Sequence, residues 1–345
     1  MENDVKYIFS KGDLERKDFS IVFKANNKNN YIPITQTKEL YLFNDCTITT
    51  KLISTLGKSG IIVHFFDYYG NYTGSFYPKE QLLSGNILIK QVHSYEENRL
   101  TIAKAIVNGI AKNIHFTLYH YYRHGKNELK EYLNFLKKDV PNLLEKANKI
   151  NQILMIEGTI WGKFYDSFQY FLPQEFLMNK RVRRPPDNPL NALVSFGNSI
   201  LYSKTITQIY HTHLNQSISY LHEPSEGRFS LSLDLSEVFK PIIVFKTIFD
   251  CINNKKLKIE KHFIKELNYC VLNDEGKKIF LRELDERLND SFKHPKLKRN
   301  VTYKQCIKLD AYKLIKSLVE GGEFIPFQME TKLWKIIVIY IYFMI

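Results

Sequence analysis

Residues 97–122, ENRLTIAKAIVNGIAKNIHFTLYHYY, divide the 345-residue chain into two parts with different sequence patterns. Apolar residues recur in this stretch at spacings of three and four, which is typical of a long amphipathic helix. The pattern stops at His124 and Gly125, where the glycine favours the end of a helix. Beyond it the sequence remains mostly helical as far as residues 320–322. We therefore predict a large all-α region that follows residue 96.

The part before residue 96 has the pattern of a β-rich domain. Short runs of β-branched and aromatic residues alternate with turn-forming clusters such as residues 26–30 and the pair Gly70 and Asn71. Residues 49–58 are predicted to form one inserted helix that ends at Gly60. The fold class expected is α+β, with a β-sandwich-like domain at residues 1–95 followed by a larger all-α domain at residues 96–345.

The composition favours a negatively charged partner. The chain has 49 Lys and Arg against 36 Asp and Glu, a formal net charge of +13. Such a surplus indicates nucleic acid first and an anionic membrane surface second. The N-terminus has no signal peptide pattern, and the apolar C-terminal run 334–345 is shorter than the ~18 residues of a membrane span. That run is expected to be a terminal strand or a docking segment.

Cysteine usage indicates a reducing compartment. The four cysteines are scattered along the chain, and none forms a C-x-x-C pair. Neither a zinc knuckle nor a disulfide framework is therefore expected. We predict a cytoplasmic protein.

Residues 221–241, LHEPSEGRFSLSLDLSEVFKP, contain the first candidate site. His222 precedes a turn, and Asp234, Glu237 and Lys240 follow it at positions i, i+3 and i+6. On a helix this spacing places both carboxylates and the ammonium along one face. Two carboxylates side by side repel each other unless a cation lies between them. The alternative is an ordinary solvated acidic face.

Glu157 is the second candidate, in the helical and largely apolar stretch 153–168. A buried carboxylate must be paired, metal-bound or protonated, because an isolated buried charge is too costly. The alternative is that Glu157 points to solvent at the edge of the helix. Gly158 and Gly162, four residues apart, would allow another backbone to come close.

Glu157, His222 and Glu237 together offer two carboxylates and one imidazole. Such a set suits Mg²⁺ or Mn²⁺ better than zinc. These ions support phosphodiester chemistry, because they stabilise the charge that builds up on the phosphoryl oxygens. Lys240, one turn after Glu237, could add positive charge.

An arginine cluster is the third candidate. Arg181, Arg183 and Arg184 lie on a Pro-rich loop, and guanidinium groups pair well with phosphate. A solvated charge run is the alternative. Asn191, in the first turn of the helix that follows, could reach back into the site.

These segments resemble the successive blocks of the CRISPR-associated protein 1 family, the spacer-acquisition integrases. The resemblance rests on IEGTIWGKFYDSF (156–168), RVRRPPDNPLNALVSFGNSILY (181–202), residues 221–241, and TYKQCIKLDAYKLIKSLVEGGEFIPF (302–327). Residues 7–18, 39–54 and 60–78 are similar to the type I-B branch. The likeness extends from residue 7 to residue 327 in the same order, and the apolar tail 328–345 departs from it.

The resemblance implies roles for the candidate residues. The metal ligands of the family fall on Glu157, His222 and Glu237, Asp234 is the neighbouring acidic residue, and Lys240 is the basic residue that follows. Arg181, Arg183, Arg184 and Lys240 are expected to contact DNA phosphates. The cofactor implied is Mg²⁺ or Mn²⁺.

The resemblance also implies an activity and partners. The chain is expected to be a metal-dependent DNA endonuclease and integrase that inserts short duplex DNA, the prespacer, into a CRISPR array. In this reaction a 3′-hydroxyl attacks a phosphodiester at the repeat border. The first domain would mediate homodimerisation and the second catalysis, and two homodimers would flank a dimer of CRISPR-associated protein 2.

Two other functions remain open from the sequence. The chain could be a structure-specific endonuclease that acts on branched DNA in repair. It could instead be a non-catalytic DNA-binding subunit, which requires Glu157 to face away from His222.

Overall fold

The computed structural model describes residues 4–79, 82, 84–294 and 297–329. Most of the apolar tail, from residue 330 onward, lies outside these ranges. Within them, the first eighty residues are rich in strands and the rest is mostly helical.

The N-terminal strands form two sheets with one helix between them in sequence. Their bounds are β1 (Val5–Ile8), β2 (Gly12–Lys17), β3 (Ser20–Ala25), β4 (Lys28–Pro33), β5 (Glu39–Leu42), β6 (Cys46–Ile48), α1 (Thr50–Lys58), β7 (Ile62–Phe66) and β8 (Tyr72–Phe76). One sheet has the order β1-β5-β7-β8, and the other has the order β4-β3-β2-β6. In the first sheet β1, β5 and β7 are parallel, and β8 pairs antiparallel to β7 at the edge.

The two sheets share a hydrophobic core, as a β-sandwich does. Leu14 and Ile21 of the second sheet pack with Leu40 and Val63 of the first, and all four are buried. Leu52 of α1 joins the same core. The hydroxyl of Thr49 accepts a hydrogen bond from the Leu52 N–H at the start of α1, so the predicted helix begins with a Thr cap.

The helical part begins with a 39-residue helix, α2 (Gly85–Arg123). The helices that follow are α3 (Lys130–Asn134), α4 (Val140–Lys146), α5 (Ile150–Asp166), α6 (Pro189–Tyr210), α7 (Ser230–Phe239), α8 (Lys246–Asn253), α9 (Ile259–His262), α10 (Asp274–Asn289) and α11 (Tyr303–Glu320). Single π-helical turns, Phe135–Asp139 and Pro241–Phe245, lie between α3 and α4 and between α7 and α8. Two short antiparallel pairs, β9 (Phe263–Lys265) with β10 (Cys270–Leu272) and β11 (Ser291–Lys293) with β12 (Asn300–Thr302), complete this part.

The predicted α+β class is confirmed, a strand-rich part followed by a mostly helical part. The second part also contains two small β-hairpins that the all-α description leaves out. Helix α2 starts at Gly85, with the Ser84 hydroxyl accepting from the Ile87 N–H, so it runs through the expected boundary near residue 95. The division into domains at residues 1–95 and 96–345 remains a prediction.

Helix α6 is buried along nearly its whole length. It packs against the strand-rich part as well as lying within the helical part. Phe196 of α6 packs against Phe43, which follows β5, with 5.7 Å between the ring centroids. Thr207 of α6 contacts His64 of β7, with 2.9 Å between Oγ1 and Nε2. The Nδ1 atom of His64 lies 2.6 Å from Oγ of Ser75. Both ring nitrogens of the buried His64 therefore have partners, and the ring belongs to the core.

None of the helices in the described ranges is both long enough and apolar enough to span a membrane.

Candidate active site

A cleft of about 1540 Å³ brings the predicted site residues together. Its lining residues come from α5, α6, α7, β8, the segment that follows His222, and the arginine loop, which is the loop that carries Arg181, Arg183 and Arg184. The cleft is lined by the predicted residues Glu157, Arg181, Arg183, Arg184, His222, Glu237 and Lys240. Asp234 is not among its lining residues.

Glu157 lies on α5 and is partly buried at the cleft. The pKa of its carboxyl is raised to about 7, mainly by burial and also by the charge of Glu237. The positive groups His222 and Lys240 act in the opposite direction. Glu157 therefore does not point into open solvent, and its charge interacts with both other predicted ligands.

Gly158 and Gly162 do not have the role that their spacing predicted. A Cβ atom built on either glycine would meet no atom within 4 Å, so no other backbone comes close to them. Both line the cleft beside Glu157. The prediction of a close backbone approach was wrong, because the face of α5 that carries the glycines is open to the cleft.

His222 is held in place by Asp234, which is completely buried in α7. Oδ1 of Asp234 lies 2.8 Å from Nδ1 of His222 and accepts a hydrogen bond from the His222 backbone N–H at 3.0 Å. Oδ2 accepts from the N–H groups of Tyr220 at 2.7 Å and Leu221 at 2.8 Å. Because a buried carboxylate only accepts hydrogen bonds, Nδ1 carries a proton, and in the neutral imidazole Nε2 is the acceptor nitrogen.

The pKa of His222 is raised above its ordinary value. Burial lowers it, but the hydrogen bond and the charge of Asp234, with smaller effects from Glu237 and Glu157, outweigh burial. Asp234 thus orients the imidazole through its hydrogen bond with Nδ1, and it does not line the cleft beside Glu237.

Glu237 and Lys240 form an ion pair at the carboxyl end of α7. Glu237 is only 6% exposed, and both side chains line the cleft. The chain continues after Lys240 into the π-helical turn Pro241–Phe245, so the ammonium stays one turn from the carboxylate. The predicted common face of α7 therefore holds for Glu237 and Lys240.

The three expected metal ligands do not surround a common point at which a metal ion could bind. Within the described ranges, no three His, Cys, Asp or Glu side chains form a group that could hold a metal ion. Two of the expected ligands are instead engaged with neighbouring residues, Glu237 with Lys240 and His222 with Asp234.

The three guanidinium groups of the arginine loop differ in exposure. Arg181 is partly buried; it donates to Oδ1 of Asn191 at 3.0 Å, to Oγ of Ser195 at 2.9 Å and to the Val182 carbonyl oxygen. The Asn191 amide also donates to the Lys180 carbonyl at 2.9 Å, so Asn191 fixes the loop from the first turn of α6. Arg183 and Arg184 are exposed at the cleft.

Sequence reasoning missed the wall of the cleft that β8 contributes. Tyr72, Thr73, Gly74 and Ser75 line it, and the ring of Tyr72 lies 5.5 Å from the ring of Tyr202 on α6. These residues are neutral and carry no acid, base or metal pattern. The polar and aromatic composition of an edge strand is the signal that could have indicated an exposed role.

Comparisons with known proteins identify the family of the chain. The family described as "CRISPR associated protein Cas1" matches residues 6–286. The chain is 45% identical over 325 residues to "CRISPR-associated protein Cas1 1" of Methanobrevibacter ruminantium, which covers 93% of this chain and 97% of the relative. It is 42% identical over 324 residues to "CRISPR-associated endonuclease Cas1 2" of Thermodesulfovibrio yellowstonii, with coverage of 93% and 97%.

Solved structures share the fold. The Cas1 protein TM1797 of Thermotoga maritima superposes with a TM-score of 0.80 at 32% identity, over 94% of this chain and all (100%) of that chain. A chain of a Cas6-RT-Cas1–Cas2 complex superposes with a TM-score of 0.81 over 96% of this chain and 36% of its own length. At 22% identity the second likeness concerns the fold alone. The family match and the similar relatives cover most of the chain, and the chain belongs to the CRISPR-associated Cas1 family, whose members include proteins named endonucleases.

Proposed function

We propose that this chain is a metal-dependent DNA integrase and endonuclease of CRISPR adaptation. It inserts short duplex DNA into a CRISPR array when a 3′-hydroxyl attacks a phosphodiester at the border of a repeat. One observation carries this proposal. Two carboxylates, one imidazole and one ammonium from α5, α7 and the segment before α7 line one cleft, together with exposed arginines.

The donor groups fit a hard divalent ion, Mg²⁺ or Mn²⁺. Glu157 and Glu237 would supply carboxylate oxygens, and Nε2 of His222 would supply a nitrogen. A metal-binding histidine usually donates its other ring N–H to a carboxylate, and Asp234 accepts that bond here. The repulsion that Glu237 exerts on Glu157 is the kind that a cation relieves. Ligation by Glu237 would require its ion pair with Lys240 to open.

Basic residues of the chain bind the reacting DNA and stabilise the charge on its phosphate. A divalent ion, when bound, stabilises negative charge on the phosphoryl oxygens and orients the attacking hydroxyl. Lys240 adds a positive charge at the same end of α7. Arg183 and Arg184 are free to pair with phosphates on either side of the scissile bond, since their guanidinium groups are exposed at the cleft. Arg181 and Asn191 hold the loop that presents them.

The proposed partners follow from the surface charge and from the family. A net charge of +13 suits double-stranded DNA, both the prespacer and the repeat. We also propose a homodimer that joins a dimer of the Cas2 protein, because one structural neighbour belongs to a Cas6-RT-Cas1–Cas2 complex. A cytoplasmic location is consistent with both.

The proposal is tested by strand joining with purified protein and its Cas2 partner. Labelled duplex DNA and a plasmid that carries a repeat should give joined products with wild-type protein and Mn²⁺. Glu157→Ala and His222→Ala protein should give none, although both should still bind DNA. Glu145→Ala, at an exposed carboxylate on α4, is the control and should join DNA like the wild type. Wild-type joining by either site variant would exclude this site.

Repair-type cleavage is the second candidate, since relatives carry the name endonuclease. Mapping the products of the same reaction separates the two functions, because cleavage leaves free nicked ends and integration leaves new junctions. A purely architectural subunit would need Glu157 to face away from His222. Both side chains line one cleft, which argues against that function.

A further inference from the structure

The regular hydrogen bonds of α7 are interrupted at its end, directly after Lys240. The next residue is Pro241, which has no N–H and therefore gives no bond to the carbonyl of Glu237 four residues earlier. The chain forms a single π-helical turn here, in which the Phe245 N–H donates to the Lys240 carbonyl oxygen at 3.0 Å. Such turns are frequent at functional sites. Bonds from neighbouring elements can therefore fix where this backbone lies.

Helix α2 supplies such bonds from two side chains that lie one turn apart. Nδ2 of Asn113 donates to the Val238 carbonyl oxygen at 2.8 Å. Oγ1 of Thr117 donates to the Pro241 carbonyl oxygen at 3.2 Å. Asn113 is completely buried and Thr117 is 1% exposed, so water does not compete for either bond.

Each of these bonds holds the backbone next to a charged side chain of the cleft. Val238 directly follows Glu237, and Pro241 directly follows Lys240. Glu237 and Lys240 both line the cleft. A shift of the backbone at either point would move the carboxylate or the ammonium relative to a phosphate bound there. Small displacements of this kind reduce reaction rates strongly.

Residues 324–329, the C-terminal segment, complete the surroundings of Asn113. The amide of Asn113 also donates to the Phe327 carbonyl oxygen at 3.1 Å, and its Oδ1 accepts from the Met329 N–H at 2.9 Å. The ring of Phe327 stacks on that of Phe239 in α7, with 5.4 Å between the centroids and 15° between the planes. One amide therefore joins α2, α7 and the C-terminal segment.

The three elements are in direct contact at this point. A Cβ atom at Gly109, one turn before Asn113 on α2, would lie 2.9 Å from the ring of Pro326 and 3.6 Å from the side chain of Val238. The packing therefore leaves little room for a side chain at position 113 to be replaced by a longer one. A carboxylate of the same size would fit, but it could not donate to the two carbonyls.

We propose that Asn113 and Thr117 are positioning residues of the site, which fix the end of α7 so that Glu237 and Lys240 are correctly placed. This inference rests on the proposed DNA-joining function and adds two residues of α2 to it. Asn113 acts mainly through Glu237, beside the carbonyl that it binds, and Thr117 acts through Lys240. Loss of the Asn113 bonds therefore weakens metal binding, whereas loss of the Thr117 bond slows strand joining alone.

Thr117→Val tests the second bond, with Thr55→Val on α1 as the matched control. Both hydroxyls are buried and bond to the carbonyl four residues earlier at 3.0 Å, and Thr117 bonds in addition to Pro241. Single-turnover joining by Thr117→Val protein should fall by about threefold or more, with wild-type affinity for DNA and for Mn²⁺. Thr55→Val protein should join like the wild type. Equal joining rates of the two variants would overturn the role of Thr117.

A double variant separates positioning from a general loss of stability. Thr117→Val should add no further loss of joining to Lys240→Ala protein, because the group that Thr117 positions is already gone. A loss of stability would instead reduce joining by the same factor with and without Lys240. Factors that multiply in the double variant would therefore overturn the proposal.

Asn113→Asp tests the first set of bonds, because it keeps the size of the side chain and the acceptor for Met329 but removes the donors. Mn²⁺ affinity, measured by calorimetry without DNA, and strand joining should both fall by about tenfold or more, while DNA affinity stays unchanged. Asn108→Asp, at a half-buried position of the same helix, controls for the added charge and should behave like the wild type. Circular dichroism shows whether each variant is folded.

Wild-type Mn²⁺ affinity in folded Asn113→Asp protein would overturn the role of Asn113. If this variant does not fold, the comparison of Thr117→Val with Thr55→Val decides the proposal. Wild-type protein that neither binds Mn²⁺ nor joins DNA would overturn the proposed function itself. Joining by wild-type protein that is equally insensitive to Thr117→Val and Thr55→Val would overturn this inference alone.

Discussion

Nδ1 of His222 lies 2.8 Å from Oδ1 of Asp234, and the same carboxylate accepts three backbone N–H bonds from residues 220–222. A single buried side chain therefore fixes the backbone that carries the imidazole, the orientation of its ring and its tautomer. The site depends on this bond although Asp234 does not line the cleft.

Asp234→Asn should impair both the fold and the site. An amide offers donors where Asp234 presents only acceptors, so we expect unfolding to become easier by about 1–3 kcal/mol. We also expect Mn²⁺ affinity and strand joining to fall by about 10- to 100-fold. Urea unfolding and titration calorimetry with Mn²⁺ measure the two effects. Asp139→Asn, at an exposed carboxylate, is the control. Wild-type Mn²⁺ affinity in Asp234→Asn protein would contradict the supporting role.

Lys240→Ala should separate metal binding from catalysis. Removing the ammonium releases the Glu237 carboxylate from its ion pair, so Mn²⁺ should bind at least as tightly as it binds the wild type. Strand joining should nevertheless fall by about tenfold or more, because a positive charge beside the phosphate is lost. Weaker Mn²⁺ binding, measured by calorimetry, would show that Lys240 supports the ligands instead of competing for one of them.

The arginine loop should show two distinct phenotypes. Arg183→Ala and Arg184→Ala should each reduce the slope of log affinity against log salt concentration by about 0.9, the value for one phosphate contact. Arg181→Ala should mainly lower thermal stability, because Arg181 is bonded to Asn191 and Ser195. Anisotropy titrations in increasing KCl and thermal melts measure these effects. Arg181→Ala protein with a reduced slope and an unchanged melting temperature would reverse the assignment.

Acidic pH should destabilise the protein through Glu39. This residue of β5 forms an ion pair with Lys204 of α6 and so joins the sheet to the helices. Burial alone would raise the pKa of this carboxyl, but the charges of Lys204 and Lys304 and a hydrogen bond from Tyr41 lower it from 4.5 to about 2. Between these pH values the unfolded chain binds the proton and the folded chain does not. The stability contributed is therefore complete above about pH 4.5 and is lost as the pH falls toward 2, on the order of 3 kcal/mol in total.

Urea unfolding at pH 6, 4 and 3, or about these values, tests the effect. Glu39→Gln protein should be less stable at neutral pH, because Lys204 loses a partner that lies 3.6 Å from its buried ammonium. Its stability should also change less between pH 4.5 and 3, or about that range, than that of the wild type. The same loss of stability with acid in both proteins would show that other carboxylates cause it.

The sequence predicted the larger features of the fold but not all of its strands. The periodic apolar pattern of α2 and the turn clusters before it were sufficient for the α+β class. Strand β2, Gly12–Lys17, was missed because only Leu14 in it is buried, so its charged residues give no apolar pattern. The Asn-rich stretch 26–30 was expected to be a turn, but the turn is made by Asn26 and Asn27 at positive φ and β4 starts at Lys28.

The candidate site was also predicted only in part from the sequence. Glu157, His222, Glu237 and Lys240 were named from the sequence, and they line one cleft. The supporting role of Asp234 depends on how the backbone of residues 220–222 approaches α7. The spacing of residues along the sequence does not predict this approach. The wall formed by β8 depends on contacts between residues more than 100 positions apart, such as Tyr72 with Tyr202. Contacts of this kind are set by tertiary packing.

The central claim is that Glu157, His222 and Glu237 hold one divalent ion. A crystal soaked in Mn²⁺ and measured at the manganese absorption edge tests it most directly. We predict one anomalous peak about 2 Å from a carboxylate oxygen of Glu157, from Nε2 of His222 and from a carboxylate oxygen of Glu237, with Lys240 moved away from Glu237. An ordered crystal with no peak among these three side chains, or with the ion bound elsewhere in the cleft, would contradict the claim.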